Sequence, residues 1–127
     1  MKVLVVEDDV DIQELVIALL SRVGYEVLAE DNGVAGLAAA VSQAPDLVIL
    51  DWMMPELSGL EVCRGMRADP RTKDTAVLML TSKAQEADID QAFTAGANDY
   101  MVKPFRGREL VSRVQALTAK DGATPPG

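Results

Sequence analysis

Leu47-Val48-Ile49-Leu50-Asp51-Trp52-Met53-Met54-Pro55 decides how the rest of the chain is read. Four consecutive branched aliphatic residues with no polar residue among them suit a short strand buried on both faces. Such strands belong to parallel sheets covered by helices on either side. Asp51 follows the run directly and Pro55 signals a turn, so a carboxylate is left at the strand's carboxyl end. Working outward, the same pattern recurs at residues 3–6 and 77–80 and, more briefly, at 100–102. Over residues 25–30, Tyr25, Val27 and Ala29 alternate with Glu26, Leu28 and Glu30, a mixed pattern that fits a strand at a less covered edge.

Helical periods fill the gaps between these strands. Ile12, Leu15, Val16, Leu19, Leu20 and Val23 recur every three or four residues with Asp11, Glu14 and Arg22 off the stripe, which predicts an amphipathic helix ended by Gly24. Val34, Leu37, Ala38 and Val41 mark the apolar face of a second helix. Ser58-Gly59-Leu60-Glu61 has capping-box spacing and opens a third, with Leu60, Cys63 and Met66 inward. A fourth is expected over 84–95, closed by Gly96, and a fifth uses Leu110, Val111, Val114 and Leu117. Strict alternation of strand and helix gives an α/β fold, a five-stranded parallel sheet doubly wound with right-handed crossovers. In such sheets ligands bind beyond the carboxyl ends of the strands.

The length of 127 residues suits one domain, and 49% apolar with 25% charged residues suits a packed core. Twenty acidic against twelve basic residues give a net charge of −8, which carries no electrostatic footprint for nucleic acid or anionic lipid. The chain has no histidine, which excludes Ser/His and Cys/His catalysis, histidine-ligated zinc and a phosphohistidine on this chain. Cys63 is the only cysteine, so no internal disulfide forms. No apolar run approaches about 18 residues, and the start lacks a basic region followed by an apolar one, so a soluble, cytoplasmic chain is expected. From Lys120 the composition turns to that of a linker, Asp121-Gly122-Ala123-Thr124-Pro125-Pro126-Gly127. The expected division is a domain over 1–118 and a flexible tail or truncated linker over 119–127.

Residues with chemistry gather at one end of this scaffold. Glu7, Asp8 and Asp9 follow the first strand, Asp51 the third, Thr81 ends the fourth and Lys103 the fifth. Carboxylates converging on one crevice repel one another and attract a hard divalent cation. Oxygen donors without histidine or cysteine select Mg²⁺, Mn²⁺ or Ca²⁺ over zinc. A phosphoryl group beside that ion would need a further cation and a hydroxyl, which Lys103 and Thr81 can supply. One of Asp8 and Asp9 reads as a helix N-cap, and Asp9, Asp11 and Glu14 as a solvated first-turn cluster. Cys63 reads as a buried, inert residue, and Met53, Met54, Met66 and Met79 as packing.

Taken in order, Glu7-Asp8, Asp51-Trp52-Met53-Met54-Pro55 with Ser58-Gly59, Thr81-Ser82 and Lys103-Pro104-Phe105 give the chain a resemblance to the receiver domains of bacterial two-component response regulators, similar to the single-domain chemotaxis type. The resemblance covers residue 1 to about 118. It implies the (βα)5 fold with the flavodoxin-like strand order 2-1-3-4-5, and a signalling switch in place of a turnover enzyme. By the same resemblance Asp51 is the phospho-acceptor, taking its phosphoryl group from a partner histidine kinase, a phosphotransfer protein or a small phosphodonor. Asp8 is a direct Mg²⁺ ligand, Glu7 acts through a water, and Met53 offers its main-chain carbonyl. Mn²⁺ is a possible substitute. Lys103 and Thr81 hold phosphoryl oxygens, Tyr100 is the aromatic switch position, and the bond to Pro104 is cis. Helix four, strand five and helix five form the surface that a downstream protein reads. Met53 and Lys83 occupy positions that tune hydrolysis, where apolar Met53 is expected to slow it. Ile89 stands where a dimerising cation is expected, which implies a monomer or a weak dimer, with no nucleic acid or membrane bound directly. A haloacid-dehalogenase phosphatase would want Asp-x-Asp on the first strand, where Glu7-Asp8-Asp9 places consecutive acids instead, and a flavin module would want a Gly/Ser/Thr-rich loop after that strand, which is lacking.

Overall fold

A computed structural model describes residues 1–119. Five strands, β1 (Lys2–Val6), β2 (Glu26–Glu30), β3 (Leu47–Leu50), β4 (Ala76–Thr81) and β5 (Asp99–Val102), alternate with five helices. These are α1 (Val10–Arg22), α2 (Gly33–Gln43), α3 (Gly59–Ala68), α4 (Glu86–Ala95) and α5 (Gly107–Leu117). All pairings are parallel and the strands lie in the order β2-β1-β3-β4-β5. Register is continuous across the centre, with Val5 opposite Ile49 and Ile49 opposite Leu78.

Because successive side chains leave a strand on opposite faces, each central strand feeds two cores. Val3, Val5, Leu47, Ile49, Leu78, Leu80 and Met101 meet Val16 and Leu20 of α1 and Leu110 and Val114 of α5. Leu4, Val6, Val48, Leu50, Val77 and Met79 meet α2, α3 and α4, where Leu60, Val62, Cys63 and Met66 of α3 fill most of the layer. Burial of each large aliphatic side chain contributes about 1.5–3 kcal/mol, so the uninterrupted apolar runs are what hold these strands in the middle. β2, at the edge, is half-buried along most of its length, as its mixed sequence predicts.

The structure corrects the sequence reading in three places. The most buried face of α2 is Gly33, Gly36, Ala39 and Ala40, while of the Val34, Leu37, Ala38, Val41 stripe Leu37 packs only partly buried against the core and Val34 is 54% exposed. The reason is closeness: a side-chain carbon on Gly36 would meet Val6 at 2.6 Å, so only small residues fit between this helix and β1. Helix α4 begins at Glu86, two residues later than expected. Met53 is no packing residue, being 61% exposed, whereas Met66 and Met79 are fully buried. The tail expected over 119–127 lies outside the described residues from Lys120 onward. Among the described residues no helix is long and apolar enough to cross a membrane.

Candidate functional site, an acidic crevice at the carboxyl ends of the strands

Parallel strands bring every strand's carboxyl end to one edge of the sheet, and the adjacency of β1 and β3 sets Glu7 and Asp8 beside Asp51. The Asp51 amide donates to the Val6 carbonyl at 3.0 Å, and the Glu7 amide to the Glu30 carbonyl at 3.0 Å. The main chain of both acids is therefore carried by strand pairing one residue past the sheet. Oxygens of Glu7, Asp8 and Asp51 lie within 4.8 Å of one another, with Glu7 and Asp51 buried and Asp8 exposed. This set has the donor chemistry of a hard-cation site, two carboxylates facing inward and one facing solvent.

Lys103 crosses the crevice from the far side. Its amide donates to the Thr81 carbonyl at 2.9 Å, which continues the β4–β5 ladder and aims the side chain back over the sheet. Its ammonium pairs closely with Glu7 and lies 3.2 Å from Asp51 Oδ2. Burial pushes the Glu7 carboxyl up to about 7; the neighbouring Asp51 adds to this, and Lys103 opposes it without winning. For Lys103 burial acts downward, but the two carboxylates outweigh it and the ammonium is held above its ordinary value. Thr81 is fully buried and its hydroxyl accepts weakly from the Lys83 amide at 3.4 Å. The Lys103–Pro104 bond is cis, as the resemblance implies.

Asp9, not Asp8, caps α1, accepting from the Asp11 and Ile12 amides at 2.9 and 3.2 Å. That leaves the Asp8 carboxylate for the crevice. The Met53 amide points weakly at Asp51 Oδ1, 3.4 Å away. Tyr100 is buried and its hydroxyl donates to the Lys83 carbonyl at 2.6 Å; desolvation pushes the phenol up to about 12, with Asp88 and Asp51 adding to it. Cys63 is fully buried and desolvation raises its thiol, which fits an inert residue.

The structure adds neighbours that the sequence does not reveal. Lys83 lies 4.9 Å over the ring of Trp52 and 3.9 Å from Asp88, so it ties the β4–α4 loop to the residue after Asp51. Gln13 donates from one amide nitrogen to the Glu7 and Glu30 carbonyls. A glutamine in the first turns of an amphipathic helix reads as solvated, and nothing in its spacing signals otherwise. Gly59 carries the start of α3 so close that a side-chain carbon there would lie 2.2 Å from the Asp51 carbonyl oxygen.

Comparison with known proteins agrees with this geometry. The family model for the response regulator receiver domain matches residues 3–115. The phosphate regulon transcriptional regulatory protein PhoB of Pseudomonas aeruginosa is 40% identical over 120 residues, which is 94% of this chain and 52% of that protein. The chain thus spans about half the length of the curated relatives it matches. Among solved structures, a putative response regulator from Chloroflexus aurantiacus superposes with a TM-score of 0.89 at 36% identity, covering 94% of this chain and 98% of the other. The receiver domain of a sensor histidine kinase from Pseudomonas aeruginosa, with a magnesium ion coordinated in its active-site cleft, gives 0.86 at 31% identity, covering 92% and 96%. With the fold, the crevice and the match over most of its length in agreement, the chain belongs to the response regulator receiver domain family of two-component signalling.

Proposed function

We propose that Asp51 receives a phosphoryl group in a Mg²⁺-dependent reaction and that the chain signals through the change this causes. The observation that carries the reading is the convergence of three carboxylates within 4.8 Å of one another, with the Lys103 ammonium 3.2 Å from Asp51. Mg²⁺ fits the donor set: it takes one or two carboxylates, keeps waters and accepts phosphate oxygens. Asp8, Asp51 and the Met53 carbonyl are assigned to hold it directly, Glu7 through a water, and Mn²⁺ satisfies the same donors. When bound, the ion supplies neutralisation of the phosphoryl charge.

The chain's own groups do the rest. An Asp51 oxygen attacks phosphorus; an O–P bond forms as the P–N bond of a donor phosphohistidine, or the P–O bond of a small acyl phosphate, breaks and its electron pair leaves with the donor. A carboxylate nucleophile has no proton to lose, so the step needs positioning and charge and no general base. Lys103 passes from the Asp51 carboxylate to a phosphoryl oxygen, and the buried Thr81 hydroxyl holds another. Movement of Thr81 reaches the Lys83 loop and Tyr100, and so the surface of α4, β5 and α5. The assigned donor is a histidine kinase or phosphotransfer protein, the reader a downstream protein, and the setting the cytoplasm. The switch unit is residues 1–118, a monomer or weak dimer that turns over only its own phosphoryl group.

Intact-protein mass spectrometry after incubation with Mg²⁺ and acetyl phosphate tests this. One phosphoryl adduct is expected on the wild type, dependent on the metal, lost at alkaline pH and missing from Asp51→Asn. An adduct that persists in Asp51→Asn would sink the assignment.

A further inference from the structure

We propose that Gln13 is a positioning residue of the metal site, acting through the Glu7–Asp8 peptide; this rests on the reading of Glu7, Asp8 and Asp51 given above. Gln13 lies half-buried in the first turns of α1. Its side-chain nitrogen reaches back to the loop that precedes its own helix, donating to the Glu7 carbonyl at 3.1 Å and the Glu30 carbonyl at 3.2 Å. The Glu30 carbonyl also accepts from the Glu7 amide at 3.0 Å. Both main-chain polar groups of Glu7 are therefore engaged, and the peptide plane that leads into Asp8 cannot rotate without breaking a hydrogen bond.

Asp8 needs that constraint. Its side chain is exposed, and among the described residues no hydrogen bond holds its carboxylate in the crevice. Its place within 4.8 Å of Glu7 and Asp51 comes from the main chain on either side, fixed behind by Gln13 and ahead by Asp9 as the N-cap. A neutral amide suits the task, since its two N–H groups match two carbonyls and it adds no charge to compete with a cation.

A side chain that merely satisfied two carbonyls would matter to stability alone, whereas one that aims a ligand matters to ion selectivity. Mg²⁺ demands near-octahedral geometry, while Ca²⁺ accepts flexible coordination, so displacing Asp8 at constant charge penalises Mg²⁺ more. Gln13→Met keeps the length and removes both donors; Gln13→Asn keeps the amide but is one methylene too short to reach both carbonyls. Mg²⁺ and Ca²⁺ titrations can be followed by emission of Trp52, the only tryptophan in the chain and the neighbour of Asp51. Both variants are expected to bind Mg²⁺ about tenfold more weakly while Ca²⁺ affinity falls less than about threefold. A lowered Tm with Mg²⁺ affinity intact, or equal losses for both ions, would overturn the proposal. Asp8→Asn, run in parallel, must weaken both ions; if it weakens neither, the metal-site reading fails and the Gln13 proposal with it.

Discussion

Glu7 is where the crevice meets pH. Its carboxyl is 3% exposed beside Asp51, and burial lifts it from an ordinary 4.5 to about 7. A carboxyl raised by folding holds its proton more tightly in the folded state. The stability it contributes to the metal-free protein is therefore complete below about pH 4.5 and lost as pH rises through about 7. Mg²⁺ reverses the sense, because a cation replaces the proton and relieves the repulsion that ionisation creates. The rise in Tm produced by a fixed excess of Mg²⁺ is expected to be larger at pH 8 than at pH 6, and flat over that range in Glu7→Gln. Thermal melts at the two pH values check it, and an equal Mg²⁺ effect at both in the wild type would contradict the argument. At this scale much was legible. Glu7, Asp8, Asp51, Thr81 and Lys103 stand at strand ends in the sequence, and the sheet brings them to one edge as strand alternation requires. Gln13 and the Lys83–Trp52 contact were not legible, because a side-chain bond to a carbonyl 17 residues away, or to a ring on another loop, leaves no periodic trace.

Between β3 and α3 an element boundary does chemical work. Ser58 and Glu61 form the capping box read from their spacing, and the Gly59 amide donates to the Trp52 carbonyl at 2.9 Å. The first turn of α3 thereby rests on the main chain of the residues that present Asp51. A side-chain carbon at position 59 would meet the Asp51 carbonyl oxygen at 2.2 Å and its carbonyl carbon at 2.9 Å, and neither is the end of a flexible side chain. Gly59→Ala must then move helix or strand end, which typically costs about 1–3 kcal/mol. With Asp51 as the proposed nucleophile, a displacement near 1 Å there is expected to lower the phosphorylation rate at saturating Mg²⁺ by about a hundredfold. Gly24→Ala is the control. Gly24 has φ +97° with open space around it, so alanine there costs about 1–2 kcal/mol of backbone strain and leaves the rate unchanged. Equal rates for the two variants would show that the β3–α3 junction does not position Asp51. Helix α2 shows where element-level reading fails. Hydrophobic periodicity locates the larger side chains, but close helix–sheet approach selects the smallest, so the stripe read from the sequence flanks the buried glycines and alanines, with Leu37 packed against the core and Val34 exposed. In α3 the large residues do face the sheet, and there the same reading holds.

Across the whole molecule, net charge and the disposition of ion pairs bear on self-association. The chain carries −8, and an aspartyl phosphate adds to it, so two copies meet against a repulsive field. On the surface built from α4, β5 and α5, the charged groups Asp99, Glu109 and Arg113 are paired within the chain. Arg113 lies 2.8 Å from Asp99 and 3.1 Å from Glu109, and also donates to the Tyr100 carbonyl at 3.0 Å. That surface also exposes apolar groups beside its charges: Phe93 is 45% and Val102 37% exposed, while Ile89 is half-buried against the core. An interface joined by ion pairs weakens as salt screens it; one made of apolar contacts against like net charge strengthens, because screening removes the opposition first. The Debye length falls from about 30 Å at 0.01 M to about 3 Å at 1 M salt, which spans the range over which the two cases diverge. The phosphorylated protein is therefore expected to sediment as a monomer at low salt, with association that rises with salt and falls on Phe93→Ser. Sedimentation velocity at two salt concentrations decides between them. A tight dimer at low salt that dissociates as salt rises would mean that Arg113 trades its internal partners for a second copy on phosphorylation, and would place ion pairs, not apolar contact, at the centre of the assembly.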